Sequence, residues 1–149
     1  MTDFETLVKQ AESLIRDVPH LIANLANISA LIYNSLDDIN WVGFYLAEEN
    51  KLILGPFQGN PACVEIPFGK GVCGTAAAED KTIVVPDVHL FAGHIACDSA
   101  SRSEIVIPVH KQANVIGVLD IDSPNLSRFD ENDRNGLERI VTAIENEIG

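Results

Sequence analysis

Apolar residues recur at steps of three and four from the start of the chain. Phe4, Leu7, Val8, Ala11, Leu14, Ile15 and Val18 would line one face of an amphipathic helix. The same step continues through Leu21, Leu25, Ile28, Ile32 and Leu36, with Pro19 suited to the first turn of this second helix and Asp37-Asp38 to its end. The pattern then changes. Trp41-Val42-Gly43-Phe44-Tyr45-Leu46 reads as a strand and Glu48-Glu49-Asn50 as a turn. Leu52-Ile53-Leu54 follows as an antiparallel partner strand. A short extended piece, Cys63-Val64-Glu65-Ile66, leads through Gly69-Lys70-Gly71 to a small Ala-rich helix ending near Glu79-Asp80. Thr82-Ile83-Val84-Val85 predicts a strand halted by Pro86-Asp87, and residues 87–102 lack periodicity, as a long loop does. Two strands are expected over 104–110 and 115–122, joined by a turn at Gln112-Ala113-Asn114. A last helix, capped by Asp130 with Asp133 three residues on, would bury Leu137, Ile140, Val141, Ile144 and Ile148. Helices at both ends and antiparallel strands between them predict an α+β fold. It would form a single domain over residues 1–149, a mostly antiparallel central sheet flanked by N- and C-terminal helices.

Composition narrows the function classes. With 149 residues and 46% hydrophobic content, the chain has enough apolar mass for one core without disulfide staples. A formal net charge of −12 argues against nucleic acid as a partner, because release of counterions from phosphates needs clustered cations. No apolar run approaches the roughly 20 residues of a membrane span, and the acidic N-terminus lacks a secretory pattern. No membrane partner and a cytoplasmic location are therefore expected. Three cysteines fit a disulfide framework poorly and, in a reducing compartment, are inert, metal-bound or catalytic.

The candidate chemistry lies in those cysteines and the acids around them. Cys97 sits in a polar loop, Glu104 follows it, and Asp120-Ile121-Asp122 ends an apolar run. Period two puts Asp120 and Asp122 on one strand face, where solvated carboxylates are the ordinary occupants. Cys73, in the Ala-rich segment, reads equally as a small core residue, and Trp41 as a core aromatic. Two other motifs lead nowhere. Gly69-Lys70-Gly71-Val72-Cys73-Gly74 fits the dinucleotide G-x-G-x-x-G, but Pro67 interrupts the strand before it and no βαβ unit follows. Cys63, Cys73, His94 and Cys97 are too irregularly spaced for a structural zinc site, so no metal is expected.

Gly117-Val118-Leu119-Asp120, Ser127-Arg128-Phe129-Asp130 and Pro67-Phe68-Gly69-Lys70-Gly71-Val72-Cys73-Gly74 resemble segments of GAF domains. Trp41-Val42-Gly43-Phe44-Tyr45, the cysteines at 63, 73 and 97, Ser103-Glu104 and Leu119-Asp120-Ile121-Asp122-Ser123 narrow this. Together they resemble the free methionine-(R)-sulfoxide reductases, over essentially the whole chain. The resemblance implies Cys97 as the catalytic thiol, Cys63 as the usual resolving thiol and Cys73 as a third that joins the exchange in some members. It also implies that Glu104, Asp120 and Asp122 meet the sulfoxide and amino groups, and that Trp41, with Tyr45 in the same motif, walls the substrate methyl. No bound cofactor is implied. Thioredoxin would be the external reductant, and a homodimer is a family expectation.

That chemistry is coherent in the residues. A thiolate beside carboxylates is suppressed by like charge unless some acids stay protonated. Clustered acids raise one another's pKa, and a neutral carboxyl can donate a hydrogen bond to the sulfoxide oxygen. An ionised neighbour can hold an ammonium. Thiol attack would leave a sulfenic acid, which a second thiol, Cys63 or Cys73, converts to a disulfide. Residue types alone do not choose between those two. The rival class is a GAF sensor that binds a small molecule without chemistry.

Overall fold

The computed structural model describes residues 2–94 and 99–148. Among these, α1 (Phe4–Ile15) and α2 (Leu21–Ser35) come first, then the hairpin β1 (Trp41–Glu48) and β2 (Lys51–Gln58). β3 (Glu65–Pro67), α3 (Gly71–Glu79), β4 (Ile83–Val85) and a 3-10 turn at Val88–Leu90 lead to β5 (Ser103–Lys111), β6 (Asn114–Ser123) and α4 (Glu131–Ile148). The strands form one sheet in the order β3-β2-β1-β6-β5-β4, and each neighbouring pair is antiparallel. The expected α+β architecture is what the chain adopts.

Helix boundaries follow local chemistry. The Asp3 carboxylate caps α1 by accepting from the Thr6 backbone N–H at 3.2 Å. α1 stops at Ile15 rather than Val18, because Asp17 turns the chain with a φ of +59°. Pro19 lies outside α2, which begins at Leu21 behind His20 as the N-cap residue. Asp130 and Asp133 bond reciprocally, each side chain accepting from the other's backbone N–H at 2.9 Å. The predicted start of α4 therefore holds.

The sheet separates two cores. Leu7, Ile28, Ile32, Leu137, Ile140 and Ile144 of α1, α2 and α4 pack on Val42, Phe44, Ile105, Leu119 and Ile121. On the other face, Trp41, Tyr45, Leu52, Val106 and Val118 meet Ile66 of β3 and Val72, Cys73, Ala76 and Ala77 of α3. Strand alternation makes this division, since neighbouring residues point to opposite faces. The buried carboxylates Glu104, Asp120 and Asp122 collect on the α3 face.

α3 is held tightly. A Cβ at Gly74 would collide with the Pro67 carbonyl oxygen, so the glycine serves close packing of α3 on β3. Among the described residues no strand runs parallel to its neighbour, so of the dinucleotide-type glycines Gly74 serves packing, while Gly69 and Gly71 take positive φ values of 85° and 62°. At the other end, Asp80 caps α3 in the left-handed region, and its carboxylate lies 2.6 Å from His110 Nε2. The other ring nitrogen of His110 is 2.7 Å from Glu145 of α4. One imidazole thus joins α3, β5 and α4. Among the described residues no helix is long and apolar enough to cross a membrane.

Candidate functional site

Three adjacent strands put Trp41, Tyr45, Glu104, Asp120 and Asp122 around one pocket. In the ladder, Trp41 of β1 lies opposite Asp122 of β6, which lies opposite Glu104 of β5. One step along the same face, Asp120 lies between Gly43 and Val106. α3 covers this row from above and carries Cys73 over the acids, with the Cys73 thiol 3.9 Å from Glu104 Oε2. The cavity beneath is lined by Trp41, Tyr45, Cys73, Glu104, Asp120 and Asp122 among others.

The acids are not the solvated strand-end carboxylates of the ordinary reading. Glu104, Asp120 and Asp122 expose only 7%, 6% and 9% of their surface. Loss of water pushes all three pKa values up. For Glu104 and Asp122, the charge of Asp120 adds to burial and drives them well above the usual carboxylate range. Asp120 rises less, because hydrogen bonds with Glu104, Asp122 and Cys73 offset part of its desolvation. Of the three, Asp120 is therefore the acid whose ionised form is least disfavoured. Oδ1 of Asp120 and Oδ1 of Asp122 are buried without a hydrogen-bond partner among the described residues. Such atoms are costly unless a ligand completes them.

The aromatic wall is fixed in place. Trp41 is 2% exposed, donates from Nε1 to the Asn60 carbonyl at 3.0 Å, and stacks on Phe57 and Tyr45 at 5.2 and 5.9 Å. The Tyr45 hydroxyl donates to the Cys63 carbonyl at 3.1 Å. Burial first, and Asp120 second, hold this phenol neutral. Tyr45 thereby ties the β1 floor to the segment carrying Cys63.

The cysteines occupy different states. Cys63 is half-buried and disulfide-bonded, whereas Cys73 is a free, buried thiol. Burial, then the charges of Asp120 and Glu104, raise the Cys73 pKa well above that of an ordinary thiol, so it is no ready nucleophile. Cys97 lies outside the described residues.

Ser101, which the sequence does not single out, and His94, which it offers only within the set-aside zinc grouping, also line the pocket. Ser101 accepts from Asn40 Nδ2 at 3.1 Å, and its hydrogen bond to Asp122 opposes the desolvation of that acid. Nothing in the aperiodic run around Ser101 signals this. His94 also lines the cavity; burial first, then His89, lower its pKa and favour the neutral ring. For a metal, one donor atom each from Cys73, Glu104 and Asp120 lies within 4.8 Å of the others.

The GAF domain profile matches residues 12–148, so the chain belongs to the GAF domain family. It is 51% identical to the free methionine-R-sulfoxide reductase of Escherichia coli over 142 residues, covering 95% of this chain and 86% of that one. The Staphylococcus aureus protein fRMsr in its reduced form superposes with a TM-score of 0.98 at 61% identity, over 100% of this chain and 97% of that one. Its complex with substrate gives 0.96 at 60% identity, with the same coverage of both chains. Within the GAF proteins, then, the chain is a member of the free methionine-R-sulfoxide reductase family.

Proposed function

We propose that the chain reduces free L-methionine-(R)-sulfoxide to L-methionine, with Cys97 as the attacking thiol. The observation that carries this reading is the buried row of acids Glu104, Asp120 and Asp122 beside Trp41. Protonated Glu104 or Asp122 can donate to the sulfoxide oxygen and draw the S–O bond toward a sulfonium-like centre. Asp120 and its unpartnered Oδ1 offer the anion for the substrate ammonium. Trp41 supplies an apolar wall for the S-methyl group, which orients the oxygen toward the acids.

The Cys97 thiol then takes the oxygen and becomes a sulfenic acid as methionine leaves. A second thiol attacks that sulfur, releases water and forms a disulfide. Cys63 suits this role better than Cys73, because Cys63 is the cysteine engaged in a disulfide while Cys73 is a free thiol held protonated. A dithiol such as thioredoxin returns both thiols by exchange. The cycle requires no resident cofactor.

The test separates enzyme from sensor. Reduced protein mixed with the sulfoxide should lose two thiols per chain and release methionine. Chiral separation after turnover with thioredoxin and its reductase should find the R epimer consumed and the S epimer left. Tight binding without thiol loss would favour the sensor reading.

A further inference from the structure

We propose that the same pocket is a site for a soft divalent cation, zinc foremost, held by the Cys73 thiolate and the carboxylates of Glu104 and Asp120. The regulatory part of this proposal rests on the functional reading above; the metal site itself does not. Three separate elements, α3, β5 and β6, each contribute one donor, and those donor atoms already lie within 4.8 Å of one another. All three residues are buried. A second, independent feature points the same way. Asp122, outside this donor set, lines the same cavity and has its buried Oδ1 without a partner among the described residues.

The donor chemistry selects the cation. Magnesium and calcium take all-oxygen sets, whereas a sulfur with two carboxylate oxygens suits zinc and its neighbours. This set differs from the irregular Cys63, Cys73, His94 and Cys97 grouping that spacing alone brings to mind. It shares Cys73 with that grouping, and His94 lines the same cavity. Binding balances by proton release. The thiol and the protonated carboxyl each lose a proton to the solvent as the metal bonds form, while ionised Asp120 coordinates directly. The zinc-bound pocket then has no proton donor at Glu104 and no free anion at Asp120. Zinc and the sulfoxide therefore exclude each other, making the enzyme sensitive to free zinc.

Cobalt(II) reports the site without any assay of activity. The Cys63→Ser/Cys97→Ser double variant keeps Cys73 as the sole thiol of the chain. With cobalt it should develop the near-ultraviolet thiolate-to-metal band at one ion per chain, and zinc should displace the cobalt. Adding Cys73→Ser should abolish the band, and adding Glu104→Gln should weaken binding by at least ~10–100-fold, the loss typical of even an outer partner. Calorimetry of zinc with the unsubstituted protein gives a second measure that does not depend on the variant's folding. Absence of the band together with absence of zinc heat overturns the proposal. So does a band that survives Cys73→Ser, or binding indifferent to Glu104→Gln. Free methionine sulfoxide should lower zinc affinity at least ~10-fold under saturation. Zinc binding unaffected by a sulfoxide that is still turned over overturns the shared pocket alone. Absence of sulfoxide turnover by the unsubstituted, zinc-free protein, with the cobalt band intact in the variant, would count against the functional reading and leave the metal site standing.

Discussion

Glu104 and Asp122 face each other directly across the β5–β6 ladder, both buried and both with pKa values pushed well above the carboxylate range. A cross-strand pair of acids destabilises a sheet when both are charged. Here the two neutral carboxyls become donors aimed at a common cavity. Glu104→Gln and Asp122→Asn should each lower kcat/KM about two to three decades, and Asp120→Asn should act mainly through KM as the ammonium loses its anion. Steady-state kinetics with the free sulfoxide decides this; unchanged constants in all three would reduce the acids to structural groups.

The same burial predicts a gain in stability from the same substitutions. Native Glu104 and Asp122 bind protons that the unfolded chain sheds near pH 4, so native stability falls as pH rises above that point. Glu104→Gln and Asp122→Asn remove this linkage. Each should raise the stability at pH 7 by about 0.5–2 kcal/mol, and the gain should vanish below about pH 4. Thermal melts of the variants across pH measure it directly.

His110 works in the opposite sense. Burial alone would depress its pKa, but hydrogen bonds and charge from Asp80 and Glu145 outweigh that and raise it above the ordinary 6.5. Its stabilisation is therefore complete below about pH 6.5 and is lost as pH rises through the elevated native value. His110→Gln should lower Tm at pH 6 and converge on the unsubstituted protein at high pH. A Tm difference independent of pH would exclude the ionic clamp.

Gly43 sets the position of Trp41. A Cβ there would meet the indole at 2.6 Å (Cη2) and collide with the Phe57 side chain. Gly43→Ala should shift the indole, raise KM for the R-sulfoxide and erode the preference between epimers. Trp41 is the chain's single tryptophan. Its fluorescence therefore reports the displacement without interference, and an unchanged spectrum with unchanged KM would remove Gly43 from the site.

Periodicity made the four helices, both hairpins and the shared face of Asp120 and Asp122 legible in the sequence. The parts it misjudged have local physical causes. β2 runs on to Gln58 although Gly55 and Pro56 look like strand breakers, because a bulge opposite Gly43–Tyr45 accommodates them. Burial of the acids was illegible, since alternation says which residues share a face and not what covers it. α3 supplies that cover through a packing contact at Gly74. Ser101 acquires meaning only when Asn40 and Asp122 are brought beside it.

The segregation of the two sheet faces has a consequence for how such a chain can change. On β1 positions 41 and 45 lie on the pocket side of the sheet, and on β5 and β6 positions 104, 106, 118, 120 and 122 do so; intervening residues such as Val42, Ile105 and Ile121 belong to the helical core. A point substitution thus falls in one of two nearly separate compartments, and selection can retune what the cavity recognises without renegotiating how the helices assemble. Insertions are different in kind. One extra residue within β5 or β6 exchanges the compartments for every position between it and the next bulge, so substrate preference is free to drift by replacement and closed to drift by length.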